Sequence, residues 1–496
     1  MNRIDYFLLP WYKKLWHKIS QGVRGFFSGT GAFFRALPRA VAKGFRAFFG
    51  GLWWLCVTFA RGGFLTKLSY IVMGAGNLFR GQIAKGLIFL AAEVGFVAFI
   101  MNFGWQYIEK LPTLGTVKRG WYFDEELGID VLIENGDNSM LILLYGILSC
   151  AAVFAFFALW AINIRSAKAA EDTAKSGGRL PKFKDEIKAL LDGGFHKTLL
   201  FLPTVGIVIF TVIPLVYMIA LAFTNYDRNH QVPANLFTWV GLDNFRTILG
   251  TGSVLGETFW HVLGWTLVWA VFATFLNYFL GIALALLINR RGLRFKGLFR
   301  TLFVLAIAVP QFVSLLVMKN ILAEAGPLNV LLMEWGLISQ PLPFFTDPTW
   351  ARVTVIIVNL WIGIPYTMLI TSGILLNIPH DLYEAAKMDG APRGVIFRKI
   401  TMPYVLYVTA PYLITQFIGN INSFNIIYFL TEGAPATLDY YQAGKTDLLV
   451  TWLYKLTVDS RDYSLASVIG ILVFVICSAI SLLTFRRTKS YNGEAM

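Results

Sequence analysis

Polar side chains recur at helical spacing inside two long apolar stretches of the chain. The first set, within 404–431, comprises Gln416, Gly419, Asn420 and Ser423. The second, within 353–376, comprises Asn359, Gly363 and Tyr366. Each set falls on one face of a helix. Two such faces could line an aqueous cavity, where amides and hydroxyls pair with sugar hydroxyl groups and a tyrosine ring stacks on the sugar. Hydrogen bonding between neighbouring helices, with glycine allowing close packing, explains the same pattern and stays open.

A second candidate is the connection 377–403, which reads NIPHDLYEAAKMDGAPRGVIFRKITMP. Asp381 followed by Glu384 forms an acidic capping-box pattern and predicts a helix over about 382–388. Gly390 stands where a left-handed turn would end that helix, and a second helix follows. The sequence therefore predicts a short helix, a turn and a helix between two long apolar stretches.

Ala385 and Ala386 leave one side of this short helix nearly flat, which suits insertion into a groove of another protein. From the residues alone, Glu384 is equally well explained as a cap and the alanines as ordinary helix formers. Docking and local stability both remain possible explanations at this point.

No set of residues predicts catalysis or metal binding. The five histidines are scattered, and none is paired with another histidine or a cysteine at ligand spacing. The string Gly444-Lys445-Thr446 resembles part of a phosphate-binding loop, but that loop needs glycine at 439, where this chain has Asp439. We therefore expect no catalytic residues, no metal, no cofactor and no ATPase activity in this chain.

The composition indicates an integral membrane protein. Hydrophobic residues make up 56% of the 496 residues and charged residues only 15%, too few to cover the surface of water-soluble domains. A membrane-spanning helix needs about 20 mostly apolar residues. We predict an all-α protein with about eight such spans. They cover 86–106, 140–164, 199–223, 262–288, 298–318, 353–376, 404–431 and 465–485.

The distribution of Lys and Arg predicts the orientation, because these residues are retained in the cytoplasm. With the N-terminus inside, 33 of the 43 Lys and Arg residues lie on the cytoplasmic side and 10 on the other. Both termini and the connection 377–403 are therefore predicted to be cytoplasmic.

The N-terminal segment holds most of the excess charge. Residues 1–85 contain 13 basic residues and one acid, a net charge of +12 out of +14. Within 1–67 the basic residues alternate with tryptophan and phenylalanine, which favours contact with anionic membrane lipids over nucleic acid. The largely apolar stretch 47–60 is only 14 residues long and is predicted to be interfacial, with a re-entrant or ninth span as alternatives.

The connection 377–403 closely resembles the EAA loop of ABC-importer membrane subunits. The matching residues are Glu384, Ala385, Ala386, Asp389, Gly390, Ala391, Ile400 and Pro403. In that family the loop docks into a cleft on the ATPase subunit and transmits its closure. The resemblance assigns ATPase coupling to Glu384, Ala385, Ala386, Asp389 and Gly390.

Other segments are similar to MalF-type maltose/maltodextrin permeases. They include Phe223-Thr224-Asn225-Tyr226, Trp239-Val240-Gly241-Leu242-Asp243-Asn244-Phe245 and Met73-Gly74-Ala75-Gly76-Asn77. The resemblance covers about 68–490 and implies a type I ABC importer permease fold. The domains implied are a basic interfacial segment (1–67), two spans with a cytoplasmic linker (68–197) and a six-helix permease core (198–490).

The same resemblance implies a sugar site and a set of partners. The substrate-lining positions correspond to Ile362, Gly363, Tyr366, Gly419, Asn420 and Ser423; Gly419 and Ser423 differ from the enteric protein, which leaves the length and identity of the sugar open. The implied partners are a homologous second permease (MalG-like), two ATPase subunits (MalK-like) that use ATP, an extracytoplasmic sugar-binding protein, and maltose or maltodextrin. Nucleic acid is not an expected partner.

Three other functions are alternatives to this one. An ion-coupled secondary transporter should carry coupled charges within its spans and inverted repeats, whereas only Glu93 lies deep in a span. An ABC permease for another oligosaccharide or a polyol keeps the architecture and changes the cargo. A membrane-embedded enzyme is disfavoured because no acid, base and nucleophile converge.

Overall fold

The computed structural model describes residues 42–124, 128–290 and 292–485, which are mostly helical. The described residues pack as two compact units, divided between Gly241 and Leu242. The division predicted at 67/68 and 197/198 follows the order of spans rather than packing and stays a prediction. Residues 1–41, which hold most of the basic aromatic segment, lie outside the described part of the chain.

The first unit contains nine helices and one hairpin in its described ranges. The helices are α1 (42–61), α2 (Phe64–Leu68), α3 (Ala75–Leu78), α4 (Ile83–Phe99), α5 (Trp105–Lys110), α6 (Ser139–Lys175), α7 (Phe183–Leu191), α8 (Phe195–Ile207) and α9 (Ile213–Leu221). The π-helical turns Ile100–Gly104 and Val208–Val212 join α4 to α5 and α8 to α9.

Two buried polar residues of α6 hold the segment before the first span. Asn163 accepts a hydrogen bond from the Gly74 amide at 2.8 Å and donates to the Ser69 carbonyl at 2.9 Å. Glu171 accepts from the Thr66 hydroxyl at 2.6 Å. Glu93, deep in the first span, accepts a hydrogen bond from the Met73 amide at 2.8 Å. A network of this kind satisfies polar groups that burial would otherwise leave unpaired.

A short hairpin departs from the predicted all-α fold. Strand β1 (Gly120–Asp124) pairs antiparallel with β2 (Ile129–Ile133), with Gly120 opposite Ile133 and Trp121 opposite Leu132. Aromatic and β-branched residues favour strands, and the connection is too short to show a clear alternation in sequence. Apart from this hairpin, the regular secondary structure of the described ranges is helical, so the predicted all-α class holds for the architecture.

The second unit contains twelve helices in its described ranges, and some of them line a polar cavity. They are α10 (Asp243–Leu249), α11 (Val254–Ile288), α12 (Lys296–Ala308), α13 (Gln311–Ile321), α14 (Pro327–Glu334), α15 (Pro348–Leu376), α16 (His380–Met388), α17 (Arg393–Ile396), α18 (Met402–Ile421), α19 (Asn425–Leu430), α20 (Leu449–Val458) and α21 (Tyr463–Phe485). A π-helical turn, Phe397–Thr401, joins α17 to α18.

Six of the predicted spans are confirmed as long apolar helices in the described ranges. They are Ile83–Lys110, Ser139–Lys175, Phe195–Leu221, Val254–Ile288, Pro348–Leu376 and Tyr463–Thr484. The helix 42–61 is not among them. The count of eight therefore depends on the two remaining stretches, 298–318 and 404–431, and stays a prediction.

Both remaining stretches are interrupted helices, so the expectation of a continuous helix is wrong for each. The first breaks at Val309 and Pro310, which have extended backbone angles. Proline lacks an N–H donor and disfavours helical geometry in the residue before it. The second breaks after Ile421 and resumes at Asn425. Both breaks lie beside the polar cavity.

Close packing of α11 against α15 sets the position of the cavity. A Cβ atom on Gly281 would lie 2.5 Å from the Thr367 Cβ, so only glycine allows this approach. Buried residues from both helices, including Trp269 and Val358, form an apolar core together with residues of α13 and α19. Packing against α11 thereby fixes α15, which carries one of the two predicted polar faces.

Candidate functional site

The two predicted polar faces meet at an open cavity of about 520 Å³ in the second unit. The cavity is lined by α11, α15, α18 and the interrupted segment between α12 and α13. All six residues predicted to contact sugar line it: Ile362, Gly363, Tyr366, Gly419, Asn420 and Ser423. Gln416 and Asn359, which share the two polar faces, line it as well. The structure thus brings together residues of two separate helices, and their binding of sugar stays a prediction.

Aromatic rings are accessible at the cavity. The Tyr366 side chain is half-exposed, with 49% of its surface accessible, and Trp361 is 58% exposed. An aromatic ring presents a flat apolar face on which a pyranose ring can stack. The sequence pattern does not single out Trp361, because this residue does not share the spacing of the polar residues on α15.

Asn420 already makes an interhelical hydrogen bond. Its Nδ2 donates to the Thr274 hydroxyl on α11 at 2.8 Å, and its backbone carbonyl accepts from the Trp269 indole at 3.1 Å. Hydrogen bonding between neighbouring helices, the alternative to sugar binding, therefore accounts for Nδ2 of Asn420 in the conformation described. Since an amide carries both donors and an acceptor, Asn420 still has Oδ1 to offer a ligand.

Two buried amide atoms at the cavity have no hydrogen-bond partner within the described part of the chain. They are Oδ1 of Asn277 and Nδ2 of Asn359, from side chains that are 9% and 4% exposed. A buried polar atom without a partner is costly, so these two atoms need water or a ligand. Sequence reasoning missed Asn277. The available signal was a lone amide inside a long apolar helix, where polar residues are expensive.

The cavity has no charged side chain among its described lining residues. Its polar surface consists of amides and hydroxyls beside aromatic and aliphatic groups. Such a lining hydrogen-bonds neutral polar ligands and gives no ion pair to a phosphate or a carboxylate. Neutral hydroxylated compounds are the chemical class that matches it.

The predicted coupling loop forms a separate, exposed element. The helix α16 has no buried residues, and Met388 at its end is 88% exposed. Gly390 has φ +72°, which confirms the predicted left-handed turn, and no atom lies within 4 Å of the position that a Cβ would take there. Among the assigned coupling residues, Glu384, Ala385, Asp389 and Gly390 are exposed, and Ala386 is half-buried.

The predicted capping box is wrong. The helix begins at His380, one turn earlier than Glu384, with Pro379 at the cap position and no side-chain cap hydrogen bond. Glu384 instead lies 2.9 Å from His380 Nδ1, four residues before it on the same helix face. The carboxylate therefore does not cap the helix, and the local explanation given for Glu384 does not hold.

The comparisons with known proteins agree with this architecture. Residues 277–487 match the family described as binding-protein-dependent transport system inner membrane component. The galactooligosaccharides transport system permease protein GanP of Bacillus subtilis is 38% identical over 435 residues, covering 86% of this chain and 98% of GanP. The maltodextrin transport system permease protein MdxF of the same organism is 35% identical over 439 residues, covering 86% of this chain and 96% of MdxF.

The chain belongs to the permease subunits of binding-protein-dependent ABC importers. The match to MdxF, at 35% identity over 86% of this chain, confirms the resemblance to maltose/maltodextrin permeases. A solved bacterial alginate ABC transporter, in complex with its pentasaccharide-bound periplasmic protein, matches 62% of this chain and 99% of the solved chain. The TM-score is 0.51 at 21% identity, which supports the fold alone. This permease is a multi-pass membrane protein and a transport subunit rather than an enzyme.

The string Gly444-Lys445-Thr446 has a structural role in the permease. The Gly444 amide donates to the buried Asp447 carboxylate at 2.7 Å, and Lys455 lies 2.6 Å from the same oxygen. Asp447 is 1% exposed. In a phosphate-binding loop this glycine N–H would donate to the phosphate, whereas here it donates to Asp447 and orders the loop before α20.

No cluster of three or more potential metal ligands occurs in the described ranges.

Proposed function

We propose that this permease forms one half of the translocation pathway of an ABC importer for maltodextrins, with the cavity between α11, α15 and α18 as its sugar site. The observation that carries the proposal is the uncharged polar lining of this cavity, which contains all six predicted sugar residues and accessible aromatic rings. The nearly full-length similarity to a maltodextrin permease supports the same substrate.

The proposed assembly contains a second permease subunit, two ATPase subunits and an extracytoplasmic sugar-binding protein. ATP binds to the ATPase subunits, and this chain carries no ATPase site, cofactor or metal of its own. The excess of Lys and Arg on one side favours a cytoplasmic position for both termini and α16. Membrane lipids contact the basic aromatic N-terminal segment, whose described part, α1, exposes Phe45, Phe48 and Trp53.

In the proposed mechanism, closure of the ATPase subunits moves α16, and the spans alternate between two conformations around the sugar. The energy comes from the partner subunits. This chain contributes the pathway and the coupling element. Glu384, Ala385, Ala386, Asp389 and Gly390 form the docking surface.

The substrate is tested on the purified complex of two permease and two ATPase subunits in lipid. A panel of sugars is added together with the cognate binding protein. We expect maltotriose and longer maltodextrins to stimulate ATP hydrolysis several-fold above the basal rate, and an acidic oligosaccharide to have no effect. Galactooligosaccharides are the second candidate, because of the similarity to GanP. Stimulation by these alone would change the assigned sugar, and no stimulation by any neutral oligosaccharide would contradict the sugar site.

One hydrogen bond joins the coupling helix to the base of α18. The Tyr383 hydroxyl lies 3.0 Å from Thr401 Oγ1, and Thr401 is buried in the π-helical turn that precedes α18. The far end of α18 carries Gly419 and Asn420 at the cavity. This contact is therefore a direct connection between α16 and a helix that lines the candidate sugar site.

The substitution Tyr383→Phe removes this hydrogen bond and keeps the ring. Because a neutral hydrogen bond contributes about 0.5–1.5 kcal/mol, we expect sugar-stimulated ATP hydrolysis to fall by about two- to tenfold. Basal hydrolysis and assembly should be retained. Tyr404→Phe is the matched control, since Tyr404 has no hydrogen bond to α16 in the described chain. Normal stimulation in Tyr383→Phe would show that coupling does not use this contact.

A further inference from the structure

A small polar pocket adjoins the candidate sugar cavity. Four residues line both spaces: Asn277, Gly363, Tyr366 and Gln416. The pocket has a volume of about 40 Å³ and is formed by α11, α15 and α18 of this chain. One water molecule needs roughly 10–15 Å³ of such space, so the pocket holds about three water-sized atoms. A pyranose ring does not fit, whereas a short side group does.

Hydroxyl groups of Tyr278 and Thr274 in the pocket wall are already hydrogen-bonded. The Tyr278 hydroxyl lies 2.6 Å from Thr409 Oγ1, and the Thr409 hydroxyl donates to the Val405 carbonyl. The Thr274 hydroxyl accepts from the Asn420 amide. These polar groups therefore stabilise the pocket walls and do not by themselves call for a ligand.

Asn277 is different, because one atom of its buried amide is left without a hydrogen-bond partner among the described residues. Its Nδ2 donates to the Ala273 carbonyl at 2.8 Å, so the remaining atom is the acceptor Oδ1. That oxygen is buried and has no hydrogen-bond partner among the described residues. A carbonyl oxygen accepts hydrogen bonds only, so the missing partner is an O–H or N–H donor.

We propose that this pocket receives the exocyclic hydroxymethyl group of a hexose unit bound in the cavity, with Asn277 Oδ1 accepting the hydrogen bond of its hydroxyl. The inference rests on the proposed sugar site and adds a subsite to it. Three features support the assignment. The volume accommodates one carbon and one oxygen, the walls carry no charge, and the pocket adjoins the cavity where the ring would lie beside Tyr366.

The subsite lets the permease distinguish hexoses from pentoses and 6-deoxy sugars. A hexose whose hydroxymethyl group enters the pocket satisfies Asn277, whereas a pentose or a 6-deoxy sugar leaves the buried oxygen unpaired or paired only with water. Sites built to hydrogen-bond a hydroxyl discriminate strongly against analogues that lack it. Asn277 is therefore proposed as a specificity-determining residue.

The test is direct binding to the purified transporter without the binding protein, which also recognises sugar. Maltose is compared with its analogue that lacks the C6 hydroxyl on both rings, on the wild type and on Asn277→Leu, by calorimetry. We expect wild type to bind maltose about tenfold more tightly than the analogue, and Asn277→Leu to bind both equally weakly. The control variant Tyr412→Phe, which also alters the pocket wall, should keep the preference.

The possible results separate this inference from the proposed function. Equal binding of both sugars to the wild type would show that the pocket holds only water, and would overturn the subsite while leaving the sugar cavity in place. A preference that persists in Asn277→Leu would overturn the role of Asn277. Failure of both sugars to bind the wild type would overturn both the subsite and the sugar site. The wild-type comparison alone decides the subsite if Asn277→Leu fails to fold.

Discussion

Replacing Glu384 with lysine is expected to reduce sugar-stimulated ATP hydrolysis of the assembled complex to its basal rate. Glu384 is exposed on α16, and its only described ion pair is with His380 on the same helix. The substitution therefore leaves no buried group unpaired and should not destabilise the chain. At a docked interface, a reversed charge costs several kcal/mol, which corresponds to a loss of about a hundredfold or more in productive docking.

The measurement is ATP hydrolysis by the complex in lipid, with and without sugar and binding protein, together with the amount of permease in the membrane. Asp192→Lys is the matched control, because it makes the same change of charge on an exposed residue of the other long connection predicted to be cytoplasmic. We expect the control to be stimulated normally. Stimulation of the Glu384→Lys complex at the wild-type level would contradict the assignment of α16 as the coupling element.

In the coupling element, the sequence motif predicts the helix and its turn but not the residue at which the helix begins. The helix and the left-handed turn at Gly390 follow from residue types, because the turn requires backbone angles that glycine adopts readily. The predicted cap is wrong because the helix starts at His380 rather than near 382. The start of the helix depends on where the chain turns after α15 at Pro379, which the local residue types do not determine.

The spans are predictable where helices are uniformly apolar, and less so at the candidate site. Long apolar stretches of α6, α11 and α15 follow from length and composition. The breaks at Pro310 and after Ile421 fall within stretches predicted as continuous spans. Non-helical backbone at membrane depth is tolerated where protein buries it or where it lines a cavity. The places where the prediction fails are therefore the places that border the polar cavity.

The cavity itself is predictable from two helices but not from the third. On α15 and α18 several polar residues repeat at helical spacing, and this periodicity predicts a shared face. On α11 Asn277 is the one amide, and the residues beside it, Thr274 and Tyr278, carry hydroxyls of a kind common in buried helices, so they do not by themselves mark a polar face. Its importance follows only from packing, since Gly363 of α15 lies against its amide and fixes it beside the cavity.

This contact leads to the prediction with the largest structural effect. A Cβ atom on Gly363 would lie 2.2 Å from Nδ2 of Asn277 and within 2.7 Å of its Oδ1. Asn277 cannot turn away freely, because it is buried and donates to the Ala273 carbonyl. Overpacking of this kind costs about 1–3 kcal/mol. We expect Gly363→Ala to lower the thermal stability of the permease and to abolish measurable sugar uptake, because α11 and α15 must separate at the cavity.

Gly419→Ala is the matched control for this prediction, since both glycines lie on helices that line the same cavity and both gain one methyl group. Nothing lies within 4 Å of a Cβ atom at Gly419. We therefore expect Gly419→Ala to keep the wild-type melting temperature and to alter only sugar affinity. The double variant Gly363→Ala/Asn277→Ala removes the clashing amide and should recover stability without recovering uptake. Wild-type stability and uptake in Gly363→Ala would contradict the close approach of α11 and α15, whereas recovery only in the double variant would locate the constraint at this pair of residues.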